Sequence, residues 1–343
     1  MIPFPKTEKR AVAPEIMQDV YEKIKTPYKY GPVLKYDTEM CDSPSIYKHG
    51  GRWLMNFIKI ANDVSRSGYD SHLAESRDLL HWDYIGKTLE RNDKDEWDSK
   101  QVALYAAYID NELYGDYTLG KVGDKYHFSY LGGNLDGYET VPLSVGHATA
   151  TDPEKKETYQ KTKGPRLTTT DEDSREGERV CIYKSHFFKD PDEVLGYPYV
   201  CIYNAKGKED KEAFFLAVSK DAVNWERYGE DAVLKDYSED GSMAIIGDAQ
   251  VLRLGDLYIM LYFVLGNGIT YDTFACSYDL LNWTVWNGKP LVESSEEYDE
   301  KYAHKPCLVI DSGTVYHFYC AVDKNDERII ALATSNPNIT KKP

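Results

Sequence analysis

The chain contains no CxxC pair, no apolar run of membrane-spanning length and no excess of basic residues. Its six cysteines (Cys41, Cys181, Cys201, Cys276, Cys307 and Cys320) lie far apart. That spacing argues against a zinc knuckle, and several of the cysteines sit in apolar runs, where the thiol serves as a small hydrophobe. Lys and Arg total 41 against 57 Asp and Glu, a net charge of −16. Nucleic acid and anionic membranes both need clustered positive charge, so neither is expected as a partner. The N-terminus, Met1 to Lys6, has no apolar core and no small-residue cleavage site, so the expected location is the cytoplasm. Phenylalanine is scarce, 10 residues against 29 Tyr. Tyrosine joins a packable ring to a polar tip, which suits both strands and sugar-binding clefts.

What the chain does have is an internal repeat. Ser76-Arg77-Asp78-Leu79-Leu80-His81-Trp82, Ser219-Lys220-Asp221-Ala222-Val223-Asn224-Trp225 and Ser277-Tyr278-Asp279-Leu280-Leu281-Asn282-Trp283 each follow an apolar, strand-like run. Weaker copies occur at Thr151-Asp152-Pro153 and Ser335-Asn336-Pro337. The five positions are separated by 75, 68, 58 and 58 residues, which suits blades of four short strands. The Asp is expected to form the turn after the third strand, and the Trp to plug one blade against the next. The sequence therefore predicts an all-β, five-bladed β-propeller over 38–343, preceded by an extension over 1–37. In that extension Ile16, Val20 and Ile24 recur at helical spacing between Pro14 and Lys25. This segment is also the part expected to reach a second subunit in a homo-oligomer. The polar stretch Asp152 to Arg179 is expected to be loop.

A second echo opens each unit with a strand, a Gly-containing turn and another strand, as in Asp42 to Phe57 around Gly50-Gly51. In a propeller the first strand of each blade lines the central channel, so residues far apart in sequence converge there. The expected set is Asp42, Asp116, Lys184 with His186, Asp248, and His304 with Lys305. Glycoside hydrolysis needs one carboxylic acid to protonate the leaving oxygen and one carboxylate to activate water or attack the sugar. Asp42, Asp116 and Asp248 are accordingly the catalytic candidates. Lys184, His186, His304 and Lys305 are candidates for tuning those carboxylates or holding an anionic substrate group. Lys100, Tyr117 and Glu139, the last in the loop Asp136 to Thr140, are further substrate-binding candidates, and Glu139 is an alternative acid. No cofactor is required, and a calcium ion in the channel would be structural.

The Asp42-Ser43-Pro44-Ser45 strand and the Ser-x-Asp-x-x-x-Trp corners resemble the five-bladed propeller glycosidases, the group of glycoside hydrolase families 32, 43, 117 and 130. The resemblance spans Thr38 to Pro337. It implies a carbohydrate substrate, Asp42 as general base, and an acid at the place of Asp248, where family 43 has Glu. The middle-blade carboxylate of family 43 has no counterpart, since Lys184 and His186 stand there, and Asp116 and Asp248 remain interchangeable. Inversion of configuration is expected. Two rival readings stand beside hydrolysis: a phosphorylase of the family 130 kind, and a propeller that binds carbohydrate without cutting it.

Overall fold

The computed structural model describes residues 1–6, 10–63, 67–92, 96–208, 211–235, 245–266 and 268–339. Strands make up 51% and helical segments 6%, so the fold is all-β. None of the helices among the described residues is long and apolar enough to cross a membrane.

Helix α1 (Pro14–Ile24) starts with Pro at its first turn, where the missing N–H costs nothing. It buries Met17, Val20 and Ile24, while Ile16 is 38% exposed. The buried stripe is thus one residue off the predicted one at its N-terminal end. Tyr21 stacks on Trp286 with centroids 4.9 Å apart, so the apolar face packs within its own chain. Strand β1 (Tyr28–Leu34) follows, and the strands after it form successive antiparallel sheets. The first contains β2 (Glu39–His49), β3 (Arg52–Ala61), β4 (Tyr69–Ser76) and β5 (Asp83–Lys87). The second contains β6 (Gln101–Ala106), β7 (Lys121–Val122), β8 (Lys125–Gly133), β9 (Ser144–Ala150) and β10 (Gln160–Lys161). One parallel contact, Tyr69 with Gln101, joins these two into a single larger sheet. The third contains β11 (Cys181–Lys189), β12 (Tyr199–Lys206), β13 (Glu212–Ser219) and β14 (Glu226–Tyr228). The fourth has β15 (Ile245–Leu254), β16 (Leu257–Gly266), β17 (Ile269–Ser277), β18 (Thr284–Val285) and β19 (Val292–Glu293). The last has β20 (Tyr302–Asp311), β21 (Thr314–Val322) and β22 (Arg328–Thr334), with β1 pairing on β22 from Tyr28 opposite Thr334 to Leu34 opposite Ile330. The segment read as an extension therefore supplies a strand to the final sheet.

The repeated corners follow β4, β13 and β17, each the third strand of its sheet. In the β17 corner Asp279 Oδ1 accepts from the backbone N–H of Leu281 (2.9 Å) and Asn282 (2.8 Å). Leu79, Ala222 and Leu280 all take left-handed backbone, with φ of 65, 67 and 63°. Three corners of the same sequence thus share one device, an Asx turn bent through a residue that is not glycine. Trp82 carries the contact onward, packing edge-to-face on Phe318 of the last sheet.

Most tyrosines serve the core. Tyr47, Tyr69, Tyr117, Tyr130, Tyr203, Tyr258, Tyr262 and Tyr319 are among the largest fully buried side chains. Several spend the hydroxyl locally, as Tyr130 on Asp98 (3.0 Å) and Tyr258 on Asp190 (2.6 Å). All six cysteines are free and buried.

One departure from the predicted layout bears on the site. The first strand of the second sheet is β6, not the segment around Gly115-Asp116-Tyr117. Each first strand touches the next in order, β2 with β6, β6 with β11, β11 with β15, β15 with β20 and β20 with β2.

Candidate active site

Four of these five first strands break register at the same place. The pairing slips between Asp42 and Ser45, Ile182 and Ser185, Gly247 and Gln250, and His304 and Cys307. A bulge inserts an unpaired residue and re-aims its side chain, and bulges gather near active sites. Ser43, Asp248 and Lys305 carry the cost as left-handed backbone, φ 58, 58 and 64°. The bulges bring together Asp42, Lys184, Asp248 and Lys305.

A half-enclosed cavity of about 160 Å³ opens over this cluster. Glu139, Glu212 and Asp248 are its carboxylates, and Lys305 and Arg328 its cations. Asp42 lies behind the wall, with no exposed surface. Its Oδ2 accepts from Arg328 Nη1 (3.0 Å), Lys305 Nζ (3.4 Å) and the Tyr138 hydroxyl. Burial alone would raise this carboxyl, but Lys305 and Arg328 outweigh it and hold Asp42 far below the usual carboxylate range. Lys305 Nζ also donates to Glu139 Oε1 (2.7 Å) and to Tyr138 Oη (2.5 Å). One ammonium thus joins the buried carboxylate to one in the cavity.

Glu139 rides on a loop that Gln101 fastens. The Gln101 Nε2 donates to the carbonyls of Leu135 (3.1 Å) and Thr140 (3.0 Å), and its Oε1 accepts from the Thr140 N–H (3.1 Å). Glu212, at the start of β13, accepts from Asn204 Nδ2 (3.0 Å), while Asn204 Oδ1 faces the Asp248 N–H at 3.4 Å. Burial first, and then the charge of Glu139, push the Glu212 carboxyl up to about 8. Burial also raises Asp248, against the pull of Lys184, whose Nζ stands 3.6 Å from Oδ2. His304 gives its Nδ1 proton to the Cys320 carbonyl (3.1 Å), and burial pulls it down to about 3, so the ring is neutral.

The expected residues divide accordingly. Asp248, Glu139, His304 and Lys305 line the cavity, while Asp42 and Lys184 lie directly against it. Asp116 does not belong. It is exposed and caps its own turn, accepting from Thr118 N–H at 2.8 Å, because the strand it was assigned to is a loop. Tyr117 is buried beside Trp53 with its hydroxyl on the Leu113 carbonyl (2.6 Å). His186 is half-buried farther along β11, past the bulge, and Lys100 pairs outward with Asp136 at 3.0 Å. Glu212, Asn204 and Arg328 were not foreseen. Among the described residues no group of three or more His, Cys, Asp or Glu is placed to hold a metal ion.

No protein-family profile and no curated protein matches the sequence. Solved structures do. One named "Glycoside hydrolase" aligns with TM-score 0.91 and 36% identity, covering 97% of this protein and 98% of that one. The protein belongs to the glycoside hydrolases. A second structure, a complex named for BT0996 and RGII, aligns with TM-score 0.90 and 36% identity over 97% of this protein and 98% of that one. A thermostable family-43 glycoside hydrolase shares the fold at TM-score 0.63 and 14% identity, over 93% and 98% of the two proteins. In this glycosidase the cavity holds one carboxyl kept protonated by burial beside another paired with a lysine. Such a divergence of two carboxyls is the charge pattern that acid–base cleavage of a glycoside needs.

Proposed function

We propose that this glycosidase is a closed five-bladed propeller that removes an end sugar from an oligosaccharide of the RGII type. Glu212 acts as general acid and Glu139 as the carboxylate that activates water. The carrying observation is the Glu212 carboxyl, buried in the cavity wall and pushed up to about 8. A group with that value is protonated at neutral pH and can give its proton to the leaving oxygen. Glu139, fixed by Lys305, supplies the negative partner. Asp42 serves from behind, holding Lys305 and Arg328 in place rather than meeting the sugar.

Five antiparallel units of four or five strands, the touching first strands and the pairing of β1 with β22 support a closed five-bladed ring. The small, half-enclosed cavity favours an end sugar over an internal one. The substrate class rests on the 36% likeness to the structure named for RGII. Inversion is the expected course: Glu139 is held by Lys305 and by left-handed backbone at φ 49°, which suits orienting a water more than swinging in to attack carbon. Phosphorolysis finds less support, since Lys305 and Arg328, the cavity's cations, are both committed to carboxylates.

The test is proton NMR of the protein with an RGII oligosaccharide, in phosphate and in phosphate-free buffer. A single free sugar should appear at equal rates in both, first in the anomer opposite to that of the bond cut. A sugar 1-phosphate, or no released sugar at all, would overturn the reading.

A further inference from the structure

The two walls of the cavity differ in how far their polar atoms are satisfied. On one side Lys305 and Arg328 are bound to Asp42, Glu139 and Tyr138. On the other, Asp248 Oδ2 and Thr270 Oγ1 are buried without a hydrogen-bond partner among the described residues. Asp248 is 5% exposed and Thr270 2%. A buried oxygen left bare is costly, and folded proteins leave few of them.

The neighbours of Asp248 balance part of its charge but give Oδ2 no hydrogen bond. Lys184 Nζ is 3.6 Å away, beyond a hydrogen bond, and Asn204 meets only the Asp248 backbone. The residue also sits at φ 58°, a conformation that an aspartate adopts at a cost. The β15 bulge that imposes it turns the side chain toward the cavity. Thr270, near the start of β17, completes the same wall from the next-but-one strand of the sheet. A bare carboxylate oxygen, which accepts, and a bare hydroxyl, which accepts and donates, match a ligand rich in hydroxyls. They do not match an anion, which would repel the Asp248 carboxylate.

We infer that Asp248 and Thr270 are a hydroxyl-recognising pair that selects a sugar carrying a free hydroxyl on this face, and that they take no part in the proton chemistry. The inference rests on the glycosidase reading. A site built to hydrogen-bond a hydroxyl rejects the analogue that lacks it, because its own buried oxygens are then left unpaired.

Calorimetric titration of the intact protein with free aldoses tests the pair. The panel is arabinose, galactose, rhamnose, fucose and galacturonic acid, each beside its monodeoxy or O-methyl analogues. At least one neutral aldose should bind, and loss of one particular hydroxyl should weaken it roughly 10–100-fold. In Asp248→Gly, which suits the left-handed backbone, and in the near-isosteric Thr270→Val, the complete sugar should bind as weakly as its deoxy analogue binds wild type. The same analogue should then show no further loss. Unchanged thermal midpoints would show that both variants fold. An undiminished deoxy penalty in the variants, or no aldose binding to wild type, would overturn the inference. Hydroxyl-dependent binding without turnover of any glycoside would sink the hydrolase reading and leave the pair standing. Turnover with variants that discriminate like wild type would do the reverse.

Discussion

Asp42 meets no solvent, yet two cations converge on it, with Lys305 4% and Arg328 14% exposed at the side chain. Breaking a buried pair by neutralising one partner leaves uncompensated charge, which costs about 3–5 kcal/mol. Asp42→Asn should therefore lower the thermal midpoint markedly. It should reduce turnover without abolishing it, because Glu212 keeps its place at the start of β13 and Glu139 its place on the loop fastened by Gln101. Loss of all activity at an unchanged midpoint would instead make Asp42 the base that the family resemblance implies. The sequence drew attention to Asp42 through its Asp-Ser-Pro-Ser strand. Its burial was not legible there, since the groups that cover it, Tyr138 and Arg328, come from sheets far away in sequence.

At the scale of elements, the loop from Leu135 to Thr140 depends on one side chain. Gln101 holds two of its carbonyls and one N–H, and so sets where Tyr138 and Glu139 point. Gln101→Ala should lower kcat/KM about tenfold, the equivalent of one to two net hydrogen bonds. The thermal midpoint should move little, because β6 remains paired with β8. Steady-state kinetics and a thermal melt on the same preparation decide it, and unchanged kinetics would show the loop is held by other means. Elements were most legible where the signal is local. The Ser-x-Asp corners and the Gly50-Gly51 turn (φ 57 and 76°) encode their geometry within a few residues. The second sheet failed because Gln101–Ala106 carries no charge at its start, whereas Gly115-Asp116 imitates a strand opening. Glu212 was hidden for the opposite reason. It ends the charged run Lys208 to Glu212, which looks like a solvated turn, and only its burial in the folded cavity wall, beside Glu139, keeps it an acid.

For the whole molecule, the division of labour follows from topology. Register slips on four first strands put costly side chains at one end of the strand cluster, and the third strands carry the corners that fix each sheet. The repeat made this architecture readable, because every sheet restates the same short instructions. The helix and β1 were harder, since β1 finds its partner β22 only across nearly the full length of the sequence. The charge pattern of the cavity likewise belongs to no single segment. Glu139 comes from the second sheet, Glu212 from the third, Asp248 from the fourth and Lys305 from the last.

The proposed role of Glu212 as proton donor is tested most directly by the dependence of kcat/KM on pH. With the carboxyl pushed up to about 8, Glu212 is protonated below that pH and loses its proton above it. Hydrolysis of an RGII oligosaccharide by wild type should fall along an alkaline limb near pH 8. Glu212→Gln should lose roughly 10²–10⁴-fold in rate on that substrate and lose the limb with it. Aryl glycosides, whose leaving group needs little protonation, should be much less affected. A wild-type profile flat through pH 9, or a Glu212→Gln variant that keeps both its rate and the limb, would contradict the account.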